Sequence, residues 1–197
     1  AEQFQRGITG IERFLQIMDA DIEIFDEEGA VDIVDPKGEI VFHNVSFEYP
    51  DDHNKVFTNL NLQIHAGEKL AIVGPSGGGK TTLCNLIPRF YDVSCGEITL
   101  DGNNIRNLTL KSLRQSIGVV QQEVYLFSGT VYDNIAYGKP GATLEEVMEA
   151  AKRAGADEFI QNLKDKYDTY VGERGVKLSG GQKQRISIAR VFLKNPP

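Results

Sequence analysis

The stretch GPSGGGKTT, residues 74–82, places one lysine and two threonines beside four glycines. It matches the pattern G-x-x-x-x-G-K-[ST], in which absent side chains let consecutive backbone N–H groups curl around phosphate oxygens. A helix that begins at the end of such a loop points its positive end at the same anion. The full pattern after an apolar run favours this chemistry over a glycine-rich turn with a solvated lysine. We therefore predict a site for a nucleoside triphosphate.

The polar side chains of this loop have separate expected tasks. Lys80 is expected to reach the β- and γ-phosphates, and the Thr81 hydroxyl to ligate Mg²⁺. Thr82 is then placed to touch the α-phosphate. The predicted nucleotide-binding residues of the loop are Gly74, Pro75, Ser76, Gly77, Gly78, Gly79, Lys80, Thr81 and Thr82.

A second glycine cluster, LSGGQKQR at residues 178–185, precedes IARVFL, where Ile188, Ala189 and Phe192 predict a helix with one buried face. Taken alone, Ser-Gly-Gly is a helix N-cap. Behind a phosphate loop, however, the sequence resembles the ATP-binding cassette (ABC) family, whose signature is LSGGQ. The resemblance covers nearly everything from about Gly38 onward.

The resemblance implies a partner chain. In this family two cassettes pack head to tail, and each signature closes over the phosphate loop of the other. The partner is a second nucleotide-binding domain, identical to this one or different from it. The signature residues that would contact an ATP held by the partner are Leu178, Ser179, Gly180, Gly181 and Gln182.

Three single residues also match positions of the family. Tyr49 matches the aromatic residue that stacks on adenine, although a core aromatic at a strand end fits the same pattern. Gln122, in VVQQEVYLF, matches the residue that approaches Mg²⁺ and the attacking water. The resemblance thus makes Lys80 and Gln122 catalytic, and Thr81 and Gln122 ligands of Mg²⁺. Glu173, in VGERG, matches an exporter loop that touches the coupling helices of the membrane domain, although a charged turn has the same composition.

Two further stretches resemble exporter-type members of the family. FSGTVYDNIAYG looks like the exporter version of the stretch after the Gln122 loop, and QFQRG looks like the cytoplasmic end of the last transmembrane helix. The resemblance implies that residues 1–37 are the extension of that helix and a linker, and that residues 38–197 are a partial nucleotide-binding domain. It also implies a transmembrane domain in the same polypeptide, and a location on the cytoplasmic face of a membrane, the bacterial plasma membrane.

One segment of the family pattern has no match in this sequence. In the family, the helix after the signature leads to an apolar strand ending in Asp-Glu, which supplies the Mg²⁺-holding aspartate and the general-base glutamate. This sequence ends at KNPP, and its histidines, His43, His53 and His65, lie upstream of where the family has its switch histidine. We therefore expect a C-terminally incomplete chain that binds ATP without turning it over.

The elements that must position these residues follow from hydrophobic spacing. KLAIV before the loop is almost wholly apolar, which predicts a parallel strand buried on both faces. IVFHNVSFEYP and VFTNLNLQI predict further strands, the first with one side formed by Val41, Val45, Phe47 and Tyr49.

The second half of the chain is predicted to be mainly helical. TLEEVMEAAKRAG begins with a capping box of Thr143 and Glu146, and Gly155 ends that helix. QFQRGITGIERFLQIMDAD has the spacing of an amphipathic helix, and an acidic connector follows it. Together these elements predict an α/β fold of the P-loop NTPase class, with a RecA-like core, an antiparallel β subdomain and an α-helical subdomain.

Composition and length exclude several classes of protein. The net charge of −7 argues against a nucleic-acid partner, because binding to a phosphate backbone needs a basic footprint. Cys84 and Cys95 lie in ordinary contexts, which favours a reduced compartment without a disulfide. We find no signal peptide and no apolar run near the ~18 residues of a membrane span. The chain itself is therefore not expected to cross a bilayer, although it can belong to a protein that does.

Two other functions fit a phosphate loop with a signature. One is a regulatory module that binds ATP without hydrolysing it. The other is a soluble cassette ATPase of DNA maintenance, which carries long coiled coils between phosphate loop and signature. The interval from Lys80 to Leu178 holds no sustained heptads, which disfavours the second alternative.

Overall fold

The second half of the chain is mainly helical, as predicted, and the larger sheet is built from strands between residues 40 and 104. The computed structural model describes residues 2–50, 54–172 and 176–197, with side chains from residue 7 onward. The helices are α1 (Glu2–Met18), α2 (Lys80–Leu86), α3 (Leu110–Gln115), α4 (Val131–Ala136), α5 (Leu144–Arg153), α6 (Asp157–Gln161) and α7 (Gly180–Lys194), with 3-10 turns at Ile105–Asn107 and Lys166–Asp168. The strands are β1 (Ile40–Glu48), β2 (Lys55–Ile64), β3 (Cys95–Leu100), β4 (Asn103–Asn104), β5 (Gly129–Thr130) and β6 (Tyr170–Val171).

The larger sheet is antiparallel, with the strand order β2-β1-β3-β4. In β1 the buried side chains are Phe42, Val45 and Phe47, and the pairing with β2 shifts register between Phe42 and Val45. Asn44, with a φ of 49°, lies at this irregularity, as expected for a β-bulge. The prediction that Val41 shares one side of the strand with Val45 and Phe47 is therefore wrong, because the extra residue brings Phe42 to their buried side instead.

The short helix α2 packs on this sheet. Its Leu83 and Leu86 are buried in one cluster with Phe42 and Phe47 of β1. Burial of one such side chain contributes ~1.5–3 kcal/mol relative to exposure. We call this cluster, together with strands β1–β4, the sheet lobe. Its packing holds α2, and with it the loop that precedes α2, against the sheet.

A second buried cluster is built from α4, α5, α6 and α7, and we call this part the helical lobe. The predicted capping box of α5 is present: the Thr143 hydroxyl accepts the N–H of Glu146, and the Glu146 carboxylate accepts the N–H of Thr143 at 2.8 Å. Gly155 follows the end of α5 with a φ of 64°, a conformation that favours glycine. The predicted start and end of this helix are confirmed.

Helix α7 turns a slightly different face to the core than expected. Its buried apolar side chains are Ile186, Ala189 and Leu193, whereas Ile188 and Phe192 are half-buried. A spacing of three and then four residues is that of one helix face. Ala189 was therefore predicted correctly, whereas Ile186 and Leu193, not Ile188 and Phe192, complete the buried face.

The parallel strand predicted before the phosphate loop is not formed. Residues 69–73 have no strand pairing, and neither have residues 117–121 in the second apolar run. Periodicity reports side chains alone, whereas a strand also needs partner backbones for its N–H and C=O groups. The described part of the chain supplies no such partner here, so the prediction for KLAIV is wrong. The large apolar side chains left 40–89% exposed in the two runs are Leu70, Ile72, Val73, Val119 and Val120.

We expect the 197-residue chain to self-associate through these two apolar runs. Exposed apolar side chains beside unpaired backbone groups are a template for pairing with another chain. Light scattering over a range of concentrations measures this association, and Val73→Asp, at the most exposed of these side chains, should reduce it. A monomer at all concentrations with a cooperative, high-temperature melt would contradict the expectation.

The acidic connector after α1 is bound to the sheet lobe. The Asp26 carboxylate accepts the N–H of Leu110 at the start of α3, at 2.7 Å. Val31 forms an isolated parallel bridge with Leu108. Residues 26–31 therefore share hydrogen bonds with the domain that we predicted to begin at residue 38.

Helix α1 is amphipathic, as predicted, and its apolar face is exposed. Among the residues whose placement is described, no helix has both the length and the apolar character needed to cross a bilayer. The exposed apolar side chains of α1 are Ile8, Ile11, Phe14, Leu15, Ile17 and Met18.

Candidate nucleotide-binding site

The glycine-rich loop ends at Gly79, which caps α2 in a left-handed conformation. Gly77 and Gly79 have φ values of 80° and 78°, a backbone region that side chains disfavour. A Cβ at Gly79 would lie 2.7 Å from Val56 Cγ1 and 2.9 Å from Phe57 Cζ of β2. The absent side chain therefore lets the loop lie directly against the sheet lobe.

The Lys80 side chain is folded back across the loop. Its Nζ donates hydrogen bonds to the Gly74 carbonyl at 2.9 Å and to the Pro75 carbonyl at 2.6 Å. The N–H of Gly78 also donates to the Pro75 carbonyl, at 3.2 Å. Phosphate oxygens are stronger acceptors for an ammonium group than neutral carbonyls. A bound phosphate would therefore compete for Lys80 with the carbonyls of its own loop.

Tyr49 and Thr82, which were predicted on separate grounds, lie in contact. The Tyr49 hydroxyl and Thr82 Oγ1 are 2.8 Å apart, and Thr82 is buried. The Tyr49 ring meets Phe47 and Tyr91 edge to face, with centroid distances of 5.0 and 5.2 Å. Tyr49 is thus both a member of an aromatic cluster in the sheet lobe and a neighbour of the phosphate-loop helix. Sequence reasoning missed Tyr91, because an aromatic residue at that point has no fixed spacing to the loop.

Thr81 and Gln122, the predicted ligands of Mg²⁺, are both exposed. Thr81 is the second residue of α2, directly after Lys80, so the structure places it beside the loop. Gln122 lies on a bend outside the helices and strands, and no hydrogen bond described by the structure joins it to the loop. Across the described residues, no group of three or more His, Cys, Asp or Glu side chains is arranged to hold a metal ion.

The signature begins α7. The Ser179 hydroxyl accepts the N–H of Gln182, and the Gln182 side-chain carbonyl accepts the N–H of Ser179 at 2.9 Å, so the two form a capping box. Gly180 and Gly181 are exposed, and Leu178 is buried in the helical lobe. The polar start of α7 is therefore accessible, while Leu178 anchors it. Glu173 lies outside the described residues.

The phosphate loop and the signature belong to different lobes. Helix α2 is buried with the sheet lobe, whereas Leu178 is buried with the helical lobe. None of the described hydrogen bonds or ion pairs joins Gly74–Thr82 to Leu178–Gln182. The two motifs are therefore held in place by separate buried clusters.

A phosphate loop against an antiparallel sheet, with a capped signature in a helical lobe, defines an α/β domain of the P-loop NTPase class. The family model for the ABC transporter matches residues 57–197. The chain belongs to the ABC transporter family.

Several relatives show the same resemblance. The chain is 54% identical over 195 residues to an uncharacterized ABC transporter ATP-binding protein, YwjA, of Bacillus subtilis, covering 99% of this chain and 34% of that protein. It is 57% identical over 182 residues to a putative multidrug export ATP-binding/permease protein of Staphylococcus aureus, covering 92% of this chain and 32% of that protein. The solved structure of a bacterial Atm1-family ABC exporter with ATP bound superposes with a TM-score of 0.87 at 44% identity, over 98% of this chain and 34% of that one. The predicted resemblance to exporter-type members is confirmed, and the chain spans about a third of the length of these relatives.

Proposed function

We propose that this chain is the ATP-binding and ATP-hydrolysing motor part of an ABC exporter, which couples ATP-driven dimerisation to export across a membrane. The observation that carries the proposal is the phosphate loop, with Lys80 at its rim and Gly79 packed on β2. The relatives that are named as ATP-binding/permease or exporter proteins support the same function. Titration of the chain with Mg-ATP, followed by calorimetry, tests the first step.

Thr81 and Gln122 are the residues that we propose to hold Mg²⁺. Both offer oxygen donors, which this small, hard cation prefers, and both are exposed enough to accept it together with phosphate oxygens and water. The ion would neutralise charge that develops on the phosphates. Lys80 would bind and orient the same phosphates from the opposite side, and the backbone N–H groups of the loop would hold them in place.

The signature supports a second nucleotide-binding domain as partner. Ser179, Gly180 and Gly181 are accessible at the positive end of a 15-residue helix, where a phosphate of another chain would be stabilised. The partner is either a second copy of this chain or a different cassette. The net charge of −7 gives no footprint for nucleic acid.

A transmembrane part of the same polypeptide is the second proposed partner. A cleft of about 410 Å³ lies beside α7 and exposes an aromatic group, Tyr125, Phe127 and Tyr137, with exposures of 62%, 43% and 67%. Exposed aromatic side chains are enriched where proteins dock. We propose this group as the surface that meets the transmembrane part, with Glu173 as a further contact, at the cytoplasmic face of a bacterial plasma membrane.

The two alternative functions have less support. A soluble cassette ATPase of DNA maintenance needs a long coiled coil between phosphate loop and signature, whereas α3, α4, α5 and α6 have 6, 6, 10 and 5 residues. A regulatory module that binds ATP without turnover describes how we expect the 197 residues alone to behave. In the longer protein, the export function is favoured by the relatives.

Tyr49→Ala is expected to weaken Mg-ATP binding by ~1–2 kcal/mol, the scale of stacking between an aromatic side chain and a base. Calorimetry of folded protein measures the change, and tripolyphosphate, which has no base, is the matched control ligand. Its affinity should change little. An unchanged affinity for ATP would mean that Tyr49 serves only the aromatic cluster with Phe47 and Tyr91.

A further inference from the structure

The segment that contains Gln122 is held at its two ends. Residues 117–128 form no helix and no strand. The described hydrogen bonds to this stretch reach Ile117 on one side, and Tyr125 and Phe127 on the other. Gln122 itself is exposed. Whatever fixes the position of Gln122 therefore acts through these two ends.

Arg190 of α7 binds the C-terminal end of the segment. Its Nε donates to the Asn134 carbonyl at 2.5 Å, one terminal nitrogen donates to the Tyr125 carbonyl at 3.0 Å, and the other donates to Asn134 Oδ1 at 2.6 Å. Its guanidinium also lies 5.5 Å from the centre of the Phe127 ring. The planar donor fork of arginine is suited to such simultaneous contacts.

Asn134 of α4 completes this attachment. It is buried, and its Oδ1 accepts the N–H of Phe127 at 2.9 Å while its Nδ2 donates to the carbonyls of Phe127 and Thr130, both at 2.9 Å. Asn134 thus uses its polar atoms on backbone groups of Phe127 and Thr130, while Arg190 binds the Tyr125 carbonyl and Asn134 itself. The backbone on this side of Gln122 is fixed by side chains, not by a strand ladder.

Lys194, one turn after Arg190, binds the N-terminal end. Its Nζ donates to the Arg114 carbonyl at 2.6 Å and to the Ile117 carbonyl at 2.8 Å. A Cβ at Gly118 would lie 2.5 Å from Val191 Cγ1, so the segment begins in close contact with α7. Both ends of the segment therefore rest on the same helix.

Both cations are partly withdrawn from water at these contacts. Burial lowers the pKa of the Arg190 guanidinium, and burial likewise lowers the pKa of the Lys194 ammonium. A charge that loses water needs hydrogen-bond partners in its place, and the oxygens of Tyr125 and Asn134 supply them to Arg190, those of Arg114 and Ile117 to Lys194. Neither residue is therefore a freely solvated surface charge.

We infer that Arg190 and Lys194 are positioning residues, which hold the Gln122 segment by both ends on the helix that begins with the signature. Helix α7 is one continuous helix of 15 residues, which connects the N-cap Ser179 to the two contacts of the segment. A movement of the signature toward a partner's nucleotide then carries the Gln122 segment with it. This inference rests on the proposed function of Gln122 and of the signature.

Hydrogen exchange of the 197-residue chain, read by mass spectrometry, tests the inference. Arg190→Ala should raise the exchange rate of the Phe127 amide and its neighbours tenfold or more, and Lys194→Met should do the same at Ile117. Arg190→Lys keeps the charge but has one nitrogen in place of the planar fork of three, so its exchange rate should fall between those of the wild type and Arg190→Ala. Arg185→Ala is the matched control, since this arginine of α7 donates to the Gly155 carbonyl in the helical lobe and not, among the described residues, to the Gln122 segment.

Affinity for ATP without Mg²⁺ separates positioning from general loosening. We expect this Kd to stay within twofold in all four variants, because the phosphate loop belongs to the sheet lobe and Gln122 is proposed to act through Mg²⁺. In a chimera in which this chain replaces the matching part of the Staphylococcus aureus relative, kcat should fall tenfold or more with Arg190→Lys, while KM for ATP stays within twofold.

Several outcomes would overturn the inference. One is unchanged exchange at both ends, and another is faster exchange that extends equally to α5. A chimera with unaltered kcat would also contradict it. If Arg190→Ala does not fold, Arg190→Lys decides the question by the same criteria. Absence of Mg-ATP binding in the wild-type chain contradicts the proposed function instead, so the two failures are distinguishable.

Discussion

Replacing Lys80 by alanine is expected to weaken Mg-ATP binding by about 10- to 100-fold. In the free chain its ammonium is bound to two loop carbonyls, at 2.9 and 2.6 Å, so it already lies at the rim where phosphates would enter. A hydrogen bond to a charged group contributes ~1.5–3 kcal/mol, and each 1.4 kcal/mol is about tenfold in affinity. Calorimetry of the folded variant with Mg-ATP measures the loss.

A matched control is Lys69→Ala, which removes an exposed lysine shortly before the loop and should leave affinity unchanged. Thermal melts of both variants check that the fold survives, because Lys80 also ties two carbonyls of the loop together. Equal affinity of the Lys80 variant and the wild type would remove this lysine from its proposed role. Loss of affinity in both variants would point to unfolding of the loop.

Local features of the fold could be predicted wherever a few neighbouring residues decide them. The capping box of α5 depends on Thr143 and Glu146 alone, and both hydrogen bonds are present. The same holds for Ser179 and Gln182 at the start of α7. In each case, the partner of an unpaired backbone N–H is a side chain three residues away, so the sequence contains the whole interaction.

Features that depend on distant backbone could not be predicted. Residues 69–73 have the composition of a buried strand, yet a strand exists only where other strands pair with it. The bulge at Asn44 changes which residue of β1 faces the core. The alternation of apolar residues in the sequence does not show where such an extra residue is inserted. The need for glycine at position 96 is likewise visible only in the structure, since a Cβ there would overlap the His43 carbonyl.

In the candidate site, the position of the phosphate loop could be predicted, whereas the residues that hold the Gln122 segment could not. The phosphate loop depends on contiguous residues whose types have a direct chemical reason, so its positions follow from the pattern. Arg190 and Asn134 were missed because an arginine and an asparagine on helices normally face solvent. Only the structure shows that Asn134 is buried and that Arg190 reaches Tyr125.

Residues 1–197 by themselves are expected to release no phosphate from ATP above background, even where ATP binds. Lys80 and Thr81 adjoin the loop, but Gln122 is exposed, and no described hydrogen bond joins Gln122 to the loop. From the family resemblance we also expect that residues 1–197 do not include the general-base glutamate. Loss of positioned acid–base help costs ~10²–10⁴ in rate. The two unpaired apolar runs should also impair closure on a partner. Phosphate release by the purified chain measures this, and steady release that depends on Lys80 would contradict it.

Turnover should return when the chain is extended by the segment that follows the matched part of the Staphylococcus aureus relative, if that segment supplies the expected Asp-Glu after an apolar strand. In the extended chain, Ser179→Arg should abolish turnover, because the larger side chain blocks closure of the signature on the partner's γ-phosphate. Ser179→Ala is the control: it removes the hydroxyl that caps α7, at a cost of ~1 kcal/mol, without filling the space. Phosphate release should therefore be lost in the arginine variant and retained in part in the alanine variant. Equal loss in both would show that Ser179 acts through the stability of α7, and full activity of the arginine variant would exclude the signature from the partner's nucleotide site.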